Sequence, residues 1–481
     1  MIEFNNRILI LTLSLLLTFA LFARFDSITK KFDWTFDEGV YVELGKMFVE
    51  GEGGYSLSHF YERLVKGGQR APEYLKAPLF MHPPLYPFLV SISMRVFGPT
   101  LRAGEMVSLI FGVGTIVLIY FISLNAFKDR RKALLSAVFL SFCPVHWLCT
   151  KKVWIETTYV FFLYLGVLLL ILSDNKNKIY LIASGLSFGL SCVSKHFAVI
   201  AYSGILFYMI IRPDSEKPKK YGYIFISLPI IILLPWFLAN YFVYGPYNFV
   251  LNYIRHQFSD PARFEYTYLL YTRYAVLAGI GFIMFNTIFL LKVHYADHIR
   301  KVGERCGEII NNGIFKKFLK TIAIVFVFLL MNEALNIKAL SFSYDPKVFQ
   351  KMGYFTGQSM GFYLRRLPEL FPIYYFSIIS ILYIRDWNKY NVMLLFVSAP
   401  IIVFFSFYRN YESRYVLAAI PSLLMLASDT IVKIYDTLRI VNAGKLKYLK
   451  YLFIILCLYF IVKTIRFNFT FISPDIVRYL L

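Results

Sequence analysis

Apolar runs of ~17–25 residues, each closed by charged or turn residues, recur from one end of the chain to the other, and runs of that length cross a bilayer as helices. Read this way, spans begin near Ile8, Ala103, Ala133, Thr157, Ile179, Phe197, Tyr223, Tyr274, Leu319, Pro368, Asn391, Tyr415 and Tyr451. About thirteen spans result. The pattern predicts an all-α, polytopic membrane protein with no soluble domain of any size. Ile8 to Phe22 follows Arg7 as a signal peptide would, but the run is long for an h-region and no convincing small-x-small site comes after it. It reads as an uncleaved first span.

The polar positions between spans are unevenly distributed. Lys128-Asp129-Arg130-Arg131-Lys132, Arg212 to Lys220, Lys292 to Lys320 and Lys433 to Lys450 are basic and fall on one side of the membrane. Short basic loops stay in the cytoplasm, which puts the N-terminus inside and the C-terminus outside. On the outer side, the first connection runs from Arg24 to about Arg102. Connections of that length are usually functional or carry structure of their own. Turns at Gly51 to Gly54 and Gly67-Gly68 precede Pro83-Pro84-Leu85-Tyr86-Pro87-Phe88. Leu85 to Phe97 is short for a span and interrupted by proline, so it reads as a helix lying along or dipping into the outer surface. There is no solenoid repeat and no low-complexity tract.

Composition supports the membrane reading and removes one rival. Apolar residues make up 58% and charged residues 17%, whereas a soluble domain runs nearer about 45–50% and about 25%; mean hydropathy is +0.58. The net charge of +22 would suggest nucleic acid in a soluble protein. No basic, aromatic-interleaved soluble module exists to hold one, and loops facing anionic membrane lipids account for the charge. Cys143, Cys149, Cys192, Cys306 and Cys457 are scattered, with neither metal-ligand spacing nor a disulfide framework.

Candidate chemistry lies at the outer mouth of the spans. Asp37-Glu38 follows an aromatic stretch after the first span, where acids are costly unless paired or used; Tyr41, four residues on, would share a helical face with Asp37. A helix N-terminus whose acids favour the dipole is the plainer alternative. Glu156 closes Lys151-Lys152-Val153-Trp154-Ile155-Glu156 before the fourth span, either paired with one of those lysines or functional. Lys195-His196 interrupts an apolar stretch, and a lone His or Lys near a span end is more often a snorkelling interface residue. Arg255-His256, Arg263, Arg409, Glu412 and Arg414-Tyr415 fall on the same side. Ordinary loop salt bridges would explain any one of them. Together, cations beside carboxylates in a semi-dry cleft suit a phosphate and a hydroxyl that must lose its proton.

These residues, in this order, resemble the GT-C superfamily of integral membrane glycosyltransferases, in the branch related to protein O-mannosyltransferases and the lipid A aminoarabinose transferase. The likeness rests on Phe36-Asp37-Glu38-Gly39-Val40-Tyr41, His82-Pro83-Pro84-Leu85-Tyr86, Arg102-Ala103-Gly104-Glu105 and Glu156. Ser194-Lys195, Pro235-Trp236 with Asn240, Gly245-Pro246, and Ser413-Arg414-Tyr415-Val416-Leu417 through Pro421 continue it. The resemblance implies that Asp37 is the catalytic base and Glu156 an assisting acid, the two holding a divalent cation (Mg or Mn) if one is used. It implies substrate contacts from Glu38, Tyr41, His82, Lys195, His256, Arg263, Arg414 and Tyr415. His82 stands where the aminoarabinose transferases carry Lys, and the spacing around His256 and Arg263 is wider than in the family. Many relatives carry a C-terminal soluble outer domain; here residues 1–481 are expected to form a single transmembrane glycosyltransferase domain without one.

The expected activity is inverting transfer of a sugar from a polyprenyl-phosphate-linked donor to a lipid, glycan or protein acceptor. The expected setting is the outer face of a prokaryotic cell membrane. A multi-span transporter or flippase is the alternative, but it should show paired repeats and mid-membrane polar residues on broken helices. A polymerase or ligase of another membrane fold would depend on outer-loop arginines rather than an early Asp-Glu pair.

Overall fold

The computed structural model describes residues 6–25, 36–51, 55–68, 71, 73–80, 82–173, 177–211, 222–257, 362–407, 412–440 and 448–472. Packing divides the chain into two compact units, Met1–Phe237 with Ile337–Leu481, and Leu238–Asn336. The second unit contributes little to the described residues beyond the end of one helix. The first is helical, and its only extended pairing among the described residues is a bridge between Ser56 and Pro78.

In chain order the helices begin with α1 (Asn6–Phe25), α2 (Phe36–Glu50), α3 (Ser58–Lys66) and α4 (Leu85–Phe97). α4 stops at Gly98, whose φ of 83° is a left-handed conformation that costs glycine nothing. α5 (Leu101–Phe127) runs for 27 residues and is long and apolar enough to cross a bilayer. Lys128 ends it at φ 53°, and Asp129 then caps α6 (Arg130–Phe142) by accepting the Arg131 backbone N–H at 2.8 Å. Cys143 breaks the helix, and Pro144, whose missing N–H is harmless at a first turn, starts α7 (Pro144–Thr150). The axis bends there by 62°.

α8 (Glu156–Ser173) and α9 (Lys178–Ser194) pack as a hairpin. Ser184 and Ser191 each donate at 2.7 Å to backbone carbonyls of α8, those of Gly166 and Tyr159, which satisfies hydroxyls that lipid could not. α10 (Ala198–Ile211), α11 (Gly222–Gln257), α12 (Phe362–Leu370), α13 (Tyr374–Ile379), α14 (Lys389–Phe407), α15 (Ile420–Ile440) and α16 (Leu449–Phe467) are the other α-helices among the described residues. Ile10, Leu11, Leu15 and Phe22 on α1, and Leu452, Ile455 and Val462 on α16, are exposed. Stripes of that kind suit acyl chains rather than water.

Five described helices are long and apolar enough to cross a membrane, six if α6 and α7 form one bent span. The spans expected from Tyr274 and Leu319 lie outside the described residues. Three expectations need correction. The span from Ala133 is broken at Cys143. The stretch from Pro368 is α12, α13 and a 3-10 turn rather than one continuous helix, with Pro372, which has no N–H to donate, at the break between α12 and α13. Tyr415 belongs to a 3-10 turn, Ser413–Val416, and the helix proper starts at Ile420. Leu85 to Phe97 is helical at 13 residues, too short to span. Arg24, expected to open the first outer loop, is still in the last turn of α1. It is fully buried, bonded to Thr150 Oγ1 (2.9 Å) and the Ser141 carbonyl (2.6 Å), with Trp147 beneath it at 4.5 Å.

Candidate active site

An apolar core holds the site together. Tyr41 and Val42 of α2, Tyr86, Val90 and Met94 of α4, Ala103 and Val107 of α5, and Val153 and Ile155 of the connection before α8 form one buried cluster. Two glycines permit its close approaches. A Cβ on Gly45 would sit 2.7 Å from Val90 Cγ1, and one on Gly104 would sit 2.5 Å from Val153 Cγ1. The Tyr86 hydroxyl meets Ser108 Oγ at 2.8 Å, and Ser108 donates to the Trp154 carbonyl at 3.2 Å. α4 and α5 thereby fix the short Lys151–Ile155 connection against the start of α2.

The charged groups converge on that scaffold from four places. Asp37 is in the first turn of α2, Glu156 opens α8, Lys195 caps the end of α9, and Arg414 lies in the 3-10 turn before α15. Arg414 Nη2 donates to Asp37 Oδ2 at 2.6 Å. Its Nε pairs with Glu412 and lies 3.9 Å from Glu156 Oε1. Lys195 Nζ donates to the same Glu156 oxygen at 2.5 Å. Trp154 lies under the Arg414 guanidinium at 4.5 Å, with the Tyr415 ring at 5.5 Å. Tyr415 also faces Lys195 at 5.4 Å and stacks on Phe405, so one ring walls both cations.

Burial and neighbours set the protonation of these groups. Burial acts to raise the Asp37 carboxyl, but the Arg414 charge and hydrogen bond outweigh it and hold the group below its ordinary value. Glu412 is shifted the other way: burial raises it, and Arg414 only partly compensates. The three carboxylates around Arg414 push its own ionisation upward against burial, so it stays a cation. Burial drives His82 down to about 4 despite nearby Asp37, leaving it neutral. Glu156 Oε2 is buried with no hydrogen-bond partner. A buried acceptor left open can take a donor from water, an ion or another molecule.

The sequence candidates therefore divide. Asp37, Glu156, Lys195, Arg414 and Tyr415 come together. Tyr41 and His82 line the adjoining wall, His82 Nδ1 lying 3.3 Å from the Tyr41 hydroxyl. Glu38 points away from them. It is fully buried, accepts the Val153 N–H at 3.1 Å and faces Lys152 at 3.4 Å, tying α2 to the connection before α8. Arg263 lies outside the described residues, as does the side chain of His256. Glu156 does not take Lys151 or Lys152 as its partner: Lys151 donates to the Ile472 carbonyl at 2.8 Å, and Lys152 faces Glu38. Nor does Lys195 snorkel outward; it turns in to Glu156.

Sequence reasoning passed over Trp154, although an aromatic two residues before an acid at a membrane surface is a usable signal. It also gave Glu412 no place among the site residues. Asp37 and Glu156, the pair considered for a divalent cation, meet across the Arg414 guanidinium. Among the described residues no group of three or more His, Cys, Asp or Glu side chains could hold a metal.

Residues 81–237 match the family described as dolichyl-phosphate-mannose-protein mannosyltransferase. An uncharacterized protein of Aquifex aeolicus (strain VF5) is 29% identical over 245 residues, 50% of this chain and 55% of that protein. The match thus spans about half the length of the curated relative. The crystal structure of ArnT from Cupriavidus metallidurans in the apo state superposes with a TM-score of 0.51 at 13% identity, covering 93% of this chain and 70% of that one. The apo oligosaccharyltransferase of Archaeoglobus fulgidus gives 0.54 at 14% identity, covering 96% and 56%.

Proposed function

Because this chain has the fold of the GT-C membrane glycosyltransferases, we propose that it transfers a sugar from a polyprenyl-phosphate carrier to an acceptor hydroxyl, with inversion, at the outer face of the membrane. The observation that carries the reading is the convergence of Asp37, Glu156, Lys195 and Arg414 beside α2. The description of the family matched by residues 81–237 names a dolichyl-phosphate sugar as donor, which supports a carrier of this kind.

Asp37 takes the acceptor proton as the acceptor oxygen attacks the anomeric carbon. The bond from that carbon to the phosphate oxygen breaks, and polyprenyl phosphate leaves. A phosphate leaving group needs little acid assistance; cations nearby stabilise its charge instead. Arg414 and Lys195 supply them. Glu156 Oε2, buried and open, accepts a hydroxyl of the sugar or acceptor. Transport would favour polar residues on broken mid-membrane helices, whereas these lie at helix starts, helix ends and a 3-10 turn.

The depressed Asp37 carboxyl stays ionised as pH falls through the usual carboxylate range, and its base form is lost only below that range. Asp37→Asn in membranes supplied with polyprenyl-phosphate-linked sugars should lower transfer roughly 10²- to 10⁴-fold while the protein remains folded. Undiminished transfer by the folded variant would remove Asp37 from this role.

A further inference from the structure

In the structure the proposed base is not free to act, because Asp37 occupies the edge of Arg414 on which a phosphate would fit. Arg414 has its Nε engaged by Glu412, its face covered by Trp154 at 4.5 Å, and Nη2 on Asp37 at 2.6 Å. The two terminal nitrogens are the part of a guanidinium that grips a phosphate through two parallel hydrogen bonds. Lys195 is already committed to Glu156 at 2.5 Å. Each cation of this cluster thus holds a carboxylate, and a phosphate that grips Arg414 through both terminal nitrogens must displace one of them.

Exposure decides which one. The side chains of Glu156 and Glu412 are 1% and 14% exposed, that of Asp37 38%. Stripping a buried carboxylate of its cation leaves an uncompensated charge, whereas a half-open one is taken up by water or by an arriving hydroxyl. Asp37 is the group that gives way.

We propose that the donor phosphate exchanges with Asp37 on Arg414, so that the base is released only when the donor is in place. This rests on the transfer reading above. It makes Arg414 a positioning residue for Asp37 in the empty site and a phosphate ligand in the loaded one, with Glu412 holding its Nε throughout. The order of binding follows: donor first, acceptor second. An acceptor that enters the empty site meets an aspartate already satisfied by a guanidinium, with little affinity for a further proton.

The test is a double-mutant cycle read by binding rather than transfer. Full-length protein in detergent is titrated with a polyprenyl phosphate of defined chain length, with the matching neutral polyprenol as control. If Asp37 competes for Arg414, Asp37→Asn should tighten polyprenyl phosphate binding roughly tenfold, by the reciprocity of coupled equilibria. In the Arg414→Gln background the same change should have less than about a twofold effect. Equal or weaker binding by Asp37→Asn overturns the exchange. So does an equal gain in both backgrounds, which would be a general field effect of removing a negative charge.

Should Arg414→Gln fail to fold, Arg414→Lys keeps the charge without the fork. The gain should then shrink to less than about threefold, and a full tenfold gain overturns the exchange. Wild-type protein that binds the phosphate no better than the polyprenol would defeat the donor reading itself, and the exchange with it. Tight wild-type binding without the Asp37→Asn gain defeats the exchange alone.

Discussion

Two of the ionic clusters among the described residues, one near each end of α5, are built on opposite principles. Beyond the C-terminal end of α5, Asp429 of α15 is 3% exposed and receives three donors: Lys132 at 2.6 Å, Lys433 at 2.8 Å and Asn391 at 3.0 Å. Beside it, Arg131 grips Asp436 with both terminal nitrogens, at 2.8 and 2.9 Å, and turns back on Asp129. That cluster is saturated. Near the N-terminal end of α5, three carboxylates share Arg414 and Lys195, and Glu156 Oε2 has no partner among the described residues. Fully satisfied polar networks rigidify a fold, while partly satisfied ones are retained where a substrate completes them. The first cluster clasps α6, α14 and α15; the second is the one we propose a substrate completes.

Substitutions should separate the two. The largest effect is expected at the clasp. Asp429→Leu leaves Lys132 and Lys433 partly buried without their counter-ion, a loss of about 3–5 kcal/mol that thermal unfolding in detergent would record. Polyprenyl phosphate affinity per folded molecule should be unchanged. A smaller effect of the opposite kind is expected at Glu156→Gln, which keeps the shape and an acceptor for Lys195 but removes the charge. Transfer should fall roughly 10- to 100-fold, with far less change in unfolding than Asp429→Leu shows. If Glu156→Gln unfolds the protein and Asp429→Leu abolishes donor binding, the division of labour is reversed.

The same contrast explains what could be read from the sequence. In a bilayer every backbone polar group must be satisfied within the helix, so long apolar runs announce α5, α8 and α14 directly. Asp37 and Glu156 stood out because a carboxylate beside apolar residues at a membrane surface is costly unless it is used or paired. Their partners could not be read in this way. The bond from Arg414 to Asp37 joins residues 377 positions apart, and that from Lys195 to Glu156 joins residues 39 apart. Local spacing instead offered Lys151 and Lys152 to Glu156, and both turn elsewhere. Glu38 was expected as a substrate contact from the family resemblance, yet neighbours on one helix point in different directions, and Glu38 accepts the Val153 N–H. Burial, which no residue pattern displays, makes His82 neutral.

Locating the donor phosphate tests the whole account at once. A photoreactive polyprenyl-phosphate analogue, crosslinked in membranes and mapped by mass spectrometry, should label the first turn of α2, the Lys151–Ile155 connection and the Ser413–Val416 turn. Phosphate-dependent labelling confined to the Asp429 end, with none at those three segments, would contradict it.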